Sequence, residues 1–198
     1  MSIRKTAWFV TAFLGAALLG ACSSSKTSKS GPVYAEVSSP VVRAKLEARV
    51  ENIKYQRGVV LVTNLERIAA YGEAAIPVCL KGLKTDEPMV RMGCIWVLGR
   101  VGDRRVIPEL ETALKDDVDY VRFESASALG SMGSKAGYSV LVSGLENDRV
   151  DFRYRCLEAL KEFTGHDHGF SHNGSPEQRA AGVKRWNDWL DRVGTENM

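Results

Sequence analysis

The sequence predicts an all-α fold, a short right-handed α-solenoid of stacked two-helix units with a capping helix at each end. Three observations predict it. Arg91, Arg122 and Arg153 lie 31 residues apart, as do Leu98, Leu129 and Leu160. A second set, Ile76, Ile107 and Tyr138 with Leu83, Leu114 and Leu145, repeats in the same register. Within each unit the apolar residues recur at helical spacing. A fixed period of this length marks units too small to bury their own apolar faces, which therefore stack.

The elements follow in chain order. Arg4 and Lys5 precede an apolar run from Ala7 to Leu19, which ends in Leu19-Gly20-Ala21-Cys22. A basic start, a short apolar run and small residues before a cleavage point predict an export signal over residues 1–21. The run is shorter than the ~20 apolar residues of a membrane span. Residues 22–40 are rich in Ser, Lys and Thr and hold no acid until Glu36, which reads as a flexible tether. Residues 41–58 contain an amphipathic stretch, Val41 to Arg57, that fits an N-terminal capping helix.

Residues 59–163 carry the repeats. One helix of each unit follows Asp86, Asp117 or Asp148, carboxylates placed to cap free N–H groups. Its apolar stripe reads Val90, Cys94, Val97, Leu98, Val101, then Val121, Ser125, Ala128, Leu129, Met132, then Phe152, Cys156, Ala159, Leu160, Phe163. These steps trace one face of a 3.6-residue helix. Gly99 with Gly102, and Gly130 with Gly133, read as helix ends. The other helix starts near Ile76, Ile107 or Tyr138 and is expected to run about ten residues, a short helix at the pattern's period. After Phe163 the pattern stops. Residues 164–198 hold a loop with His166, Asp167, His168 and His172, then a helix from Ser175-Pro176-Glu177 to about Val193. Trp186, Trp189 and Leu190 share one face of that helix as a second cap.

Asp-x-x-x-Val-Arg followed by Ala-Leu-Gly and Ile-Pro-x-Leu, clearest over Asp117 to Gly130 and Met89 to Leu114, resembles HEAT-like repeats of the phycobilin-lyase type. Val59 to Tyr71 fits least, because Arg67 stands where Leu98 predicts Leu. Leu19-Gly20-Ala21-Cys22 resembles the lipobox of bacterial lipoproteins. That resemblance implies cleavage before Cys22, acylation of Cys22, and, with Ser23 following, an outer-membrane anchor facing the periplasm in a Gram-negative host. Phe163-Thr164-Gly165, a Gly-aromatic loop and the Trp186/Trp189 helix are similar to the closing segment of bacterial HEAT-repeat lipoproteins. There a Tyr-Asp is expected after the loop Gly. Here Phe170-Ser171 stands instead, so no ligand role passes to that position.

The expected function is a non-catalytic scaffold or adaptor for an envelope protein, held to the bilayer through acylated Cys22. Losing Arg4 and Lys5 takes the formal net charge from +3 to +1, with no clustered basic face for nucleic acid. No nucleophile elbow, Cys-x-x-Cys, His-Glu-x-x-His or phosphate loop is present. Cys79, Cys94 and Cys156 are an odd three in an exported chain. Cys94 and Cys156 read as small buried hydrophobes, while Cys79–Cys94 is a conceivable bridge. The Arg ladder reads as ion pairs to Asp residues at the unit junctions. Lys81, Lys84, Glu109, Glu111 and Lys115, on the second helices, are the candidate protein-binding groove. No resident cofactor is expected. Two alternatives stand beside the scaffold. The cluster His166, Asp167, His168 and His172 has ligands for weak binding of a divalent transition metal, or it is a polar surface loop. The other alternative is an envelope enzyme with its site in the groove.

Overall fold

The computed structural model describes residues 32–35 and 39–195. Cys22 and the export signal lie outside them. The helices are α1 (Pro40–Glu51), continued by a 3-10 turn at Asn52–Tyr55, α2 (Gly58–Ala69), α3 (Ile76–Gly82), α4 (Pro88–Val101), α5 (Ile107–Ala113), α6 (Asp119–Ser131), α7 (Tyr138–Gly144), α8 (Val150–Thr164) and α9 (Pro176–Thr195). Among the described residues there are no strands. The fold is an all-α solenoid in which α3–α4, α5–α6 and α7–α8 are equivalent pairs.

The predicted stripes are buried. Val90, Cys94, Val97 and Leu98 of α4 and Val121, Ala128 and Leu129 of α6 share one core with Leu46, Ile53 and Ile68. Phe152, Cys156, Ala159 and Leu160 of α8 share a second core with Trp186. Helix α6 serves both, because Phe123 and Ala126 face the second core. The long helices α4, α6 and α8 pack on one another, whereas each short helix packs mainly on the long ones beside it. The crowded row of long helices therefore forms the inner face and the spread short helices the outer one.

Gly99 and Gly130 sit inside α4 and α6, not at their ends. A Cβ on Gly99 would stand 2.9 Å from the Cβ of Ala128, and one on Gly130 would overlap the Phe163 ring. The missing side chains let the long helices approach. The helix-ending residues are Gly102 and Gly133, both at positive φ.

Each short helix runs seven residues rather than ten. Its last turn tightens into i→i−3 bonds, with Lys84, Lys115 and Glu146 donating N–H to the carbonyls of Lys81, Thr112 and Ser143. The capping expectation for Asp86, Asp117 and Asp148 is also corrected. The cap-like bonds come one residue earlier, where the Asp116 carboxylate accepts the Val118 N–H and Asn147 accepts the Arg149 N–H, both at 3.0 Å. Asp117 instead accepts from Arg91 at 3.1 Å.

The tether expectation is shortened. The Val33 carbonyl accepts Arg105 Nη1 at 2.7 Å, the Ala35 N–H donates to Glu73 at 3.1 Å, and the Arg105 guanidinium lies 4.8 Å from the Tyr34 ring centre. Residues 32–35 are thus docked against the turns before α3 and α5.

The Arg ladder pairs differently at each rung. Arg91 makes a bidentate pair with Asp116 of the next unit, Nε and Nη2 donating at 2.7 and 2.9 Å. Arg122 pairs with Asp119 of its own helix. Arg153, expected to meet an Asp carboxylate, donates instead to the carbonyls of Asn147, Asp148 and His172. One bond recurs at every rung: Nη1 donates to the carbonyl six residues earlier, of Thr85, Asp116 or Asn147.

Cys79, Cys94 and Cys156 are buried and unbridged. A hydrogen bond to Cys79, with burial behind it, pushes the Cys94 thiol up. Cys94 and Cys156 lie against Gly82 and Gly144, whose added Cβ would overlap the sulfur. The middle unit holds Ala113 and Ser125 at these positions, so a larger helix end is matched by a smaller neighbour.

Gly144→Ala is expected to cost about 1–3 kcal/mol in chemical denaturation. Gly144→Ala with Cys156→Ser, which copies the middle unit, recovers most of that loss. Equal costs with and without the second change would break the argument. Arg91→Lys keeps the charge but not the fork, and should cost about 1–3 kcal/mol by the same measurement.

Candidate functional site

A recess of about 360 Å³ opens on the inner face, between α4, α6 and α8. Trp96 and Arg100 come from α4, Glu124, Ser127 and Ser131 from α6, and Glu162 and Phe163 from α8. The repeat register explains how they meet. Arg100, Ser131 and Glu162 are equivalent positions in successive units, as are Gly93, Glu124 and Arg155, and Trp96, Ser127 and Glu158. The period places them side by side, and the residue types differ from unit to unit.

The side chains of Glu124, Glu162 and Arg100 make no hydrogen bond or ion pair among the described residues. Glu124 is the deepest of the three. Its burial, opposed by the positive charge of Arg155, pushes the carboxyl up to about 7. Arg155 does not cap it, since its guanidinium lies 4.9 Å from the Phe123 ring centre. Half-buried Trp96 also packs on the core, as its helical neighbours predict. A half-buried carboxylate in a recess also lined by Trp96 and Phe163 can orient a ligand, and among the lining residues no nucleophile is hydrogen-bonded to a base.

The five residues expected on a second-helix groove are scattered. Lys81 lines a separate recess between α1 and α3 and stands 3.8 Å from Glu47. Lys84, Glu111 and Lys115 are exposed on the outer side, and Glu109 is half-buried, with one carboxylate oxygen enclosed and without a hydrogen bond. The inner-face residues Arg100, Glu124 and Glu162 are not marked by the repeat pattern, because their types do not recur from unit to unit. The signal was present, in the positions of the 31-residue register that change.

The His loop is built into the cap. Asp167 accepts the Gly169 N–H at 2.8 Å. The carbonyls of His168 and Gly169 accept Arg185 of α9 at 2.6 and 2.9 Å. The His168 ring stands edge-on to Trp186, 4.4 Å between centres, and burial holds its pKa below the usual imidazole range. The His166 ring is 5.3 Å from that of His168, whereas the His172 ring packs on Tyr154. Among the described residues no group of three or more His, Cys, Asp or Glu is placed to hold one metal ion. Trp186 is fully buried and Trp189 packs on Tyr138 at 6.0 Å, which seals the end of the second core. No described helix is long and apolar enough to cross a membrane.

Glu124 carries a pH signature. The unfolded chain releases this proton near 4.5 and the folded chain holds it to about 7. The folded state then binds more protons between those values, so this stabilising contribution is lost as pH rises through about 7. Glu124→Gln, a neutral mimic, should melt higher than the parent at about pH 8, by about 1–3 kcal/mol. Near pH 4.5 the gap should close. Identical melting at both pH values would contradict the buried carboxylate.

A search of curated proteins returned no significant match. The family profile described as HEAT repeats matches residues 59–124 and again residues 76–161. Together these matches cover more than half of the sequence and begin and end on the helices whose period drives the stacking. The chain belongs to the HEAT-repeat family.

Proposed function

We propose that this protein is a lipid-anchored, non-catalytic scaffold of the bacterial envelope that binds another protein on the inner face of its solenoid. HEAT repeats fit a protein-binding scaffold, and the reading rests on one observation. Equivalent inner-face positions carry unlike groups, Arg100, Ser131 and Glu162, around Glu124. Packing explains residues that recur, but not the three charged side chains Arg100, Glu124 and Glu162, which differ between units and make no hydrogen bond among the described residues. Stacked repeats offer such faces to partners because their shape is fixed by the core and not by the exposed residues.

The anchor is the lipobox-like Leu19-Gly20-Ala21-Cys22. Several acyl chains at Cys22 would hold the protein stably, where one would not. With residues 32–35 docked, only residues 23–31 separate the lipid from the solenoid. A fully extended chain of that length reaches at most about 30 Å. The scaffold would therefore work close to the bilayer and concentrate its partner there.

Feeding cells an alkyne-tagged fatty acid should label the wild-type protein and not Cys22→Ala. Equal labelling, or none in either, removes the lipoprotein reading. In-cell crosslinking followed by mass spectrometry should recover one envelope protein in stoichiometric amount with wild type. Turnover of an envelope metabolite by the purified protein would overturn the non-catalytic reading.

A further inference from the structure

We propose that the inner-face recess is a socket for one basic side chain, a lysine or arginine, of a partner polypeptide. This deepens the scaffold reading and rests on it for the nature of the partner. Four features of the recess converge. The Glu124 side chain, less exposed than Arg100 or Glu162, has no hydrogen-bond partner among the described residues. Glu162 adds a second carboxylate from the next unit, at the position equivalent to Ser131. Trp96 and Phe163 line the same space, and aromatic faces attract a cation within about 6 Å. The volume, about 360 Å³, admits one long side chain.

Competing occupants fit less well. Two carboxylates without a third His, Cys, Asp or Glu nearby make a poor cage for a metal ion. An anion would meet Arg100, but Arg100 is exposed whereas Glu124 is half-buried. A basic side chain would place its apolar stem between the rings and its charge on Glu124, leaving Arg100 at the rim for the partner's backbone or acids. Binding would also draw the proton from Glu124, because an adjacent cation favours the ionised carboxylate. The socket is therefore expected to be weaker below about pH 7 and stronger above it.

The test is titration of the full-length protein in detergent micelles with a blocked, glycine-flanked arginine peptide, followed by NMR. The same peptide with citrulline or with glutamate in place of arginine serves as comparison. The arginine peptide should bind saturably at millimolar concentration, about tenfold tighter than citrulline, and tighter at about pH 8 than at about pH 6. Glu124→Gln and Glu162→Gln should each erode the preference for arginine, while Arg100→Ala should leave it. No saturable binding, equal binding of citrulline, or preference for glutamate would overturn the socket. The parent reading fails separately. If in-cell crosslinking recovers the partner equally with wild type and Glu124→Gln, the scaffold stands and the socket falls. If the arginine peptide binds as expected but no protein is recovered from cells, the socket stands and the scaffold falls.

Discussion

Between each short helix and the next long one the chain turns sharply and leaves carbonyls without helical partners. The half-buried ones, of Asp116 and Asn147, would cost about 1–3 kcal/mol each if nothing met them. Arg91, Arg122 and Arg153 meet them, with Nη1 on the carbonyl of Thr85, Asp116 or Asn147. The rest of the guanidinium reaches onward along the chain. Arg91 grips Asp116 in the next unit. Arg122 reaches Asp119, which in turn accepts Asn147 at 3.4 Å. Arg153, with no further unit to meet, takes the His172 carbonyl of the capping loop at 2.8 Å. A planar five-donor group suits this double duty, and a lysine would not. Burial raises the Asp116 pKa, but the Arg91 hydrogen bond and the Val118 N–H outweigh it and hold Asp116 below its usual range. That junction therefore keeps its charge at neutral pH.

Once the turns are fixed, spacing between helices, within a unit and from one unit to the next, is set by size matching. Gly82 admits Cys94, Gly144 admits Cys156, and Ala113 is paired with Ser125, whose hydroxyl donates to the Leu110 carbonyl. On the inner side Gly99 and Gly130 admit Ala128 and Phe163. The close row of long helices that results is what brings Arg100, Ser131 and Glu162 to one mouth. Stacking and site are linked in this way: the residues that fix the distance recur, and those that use it do not.

That division also decides what could be read in advance. The stripes from Val90 to Phe163, the Trp186 cap and the buried cysteines follow from periodicity and apolar burial, which act locally and repeat. The Asp117 cap was misplaced by one residue because Asp116 and Asp117 are both carboxylates, and only three-dimensional reach chose Asp116 for the turn and Asp117 for Arg91. Docking of Tyr34 on Arg105 spans 71 residues and leaves no local trace. His172 looked like a ligand because imidazoles cluster in the sequence, yet its carbonyl ends the Arg ladder and its ring packs on Tyr154. In each case a contact distant in sequence overrode a local pattern.

Glu124 stands apart from this economy of repeats. Its counterparts are Gly93, which lets α4 pack on Ile53 and Leu65, and exposed Arg155. A carboxyl pushed up to about 7 by burial, with no hydrogen bond to offset the loss of water, weakens the fold at neutral pH. Exchange for a neutral residue of similar size would remove that cost. Natural sequences depart from local consistency mainly where a site requires it. A carboxylate partly withdrawn from water has less hydration to lose when a cation arrives, and it binds that cation more strongly than a fully solvated one would. The same burial that destabilises the empty recess thus favours its occupied state, which makes Glu124 the residue where the stability of the solenoid and its affinity for a partner oppose each other.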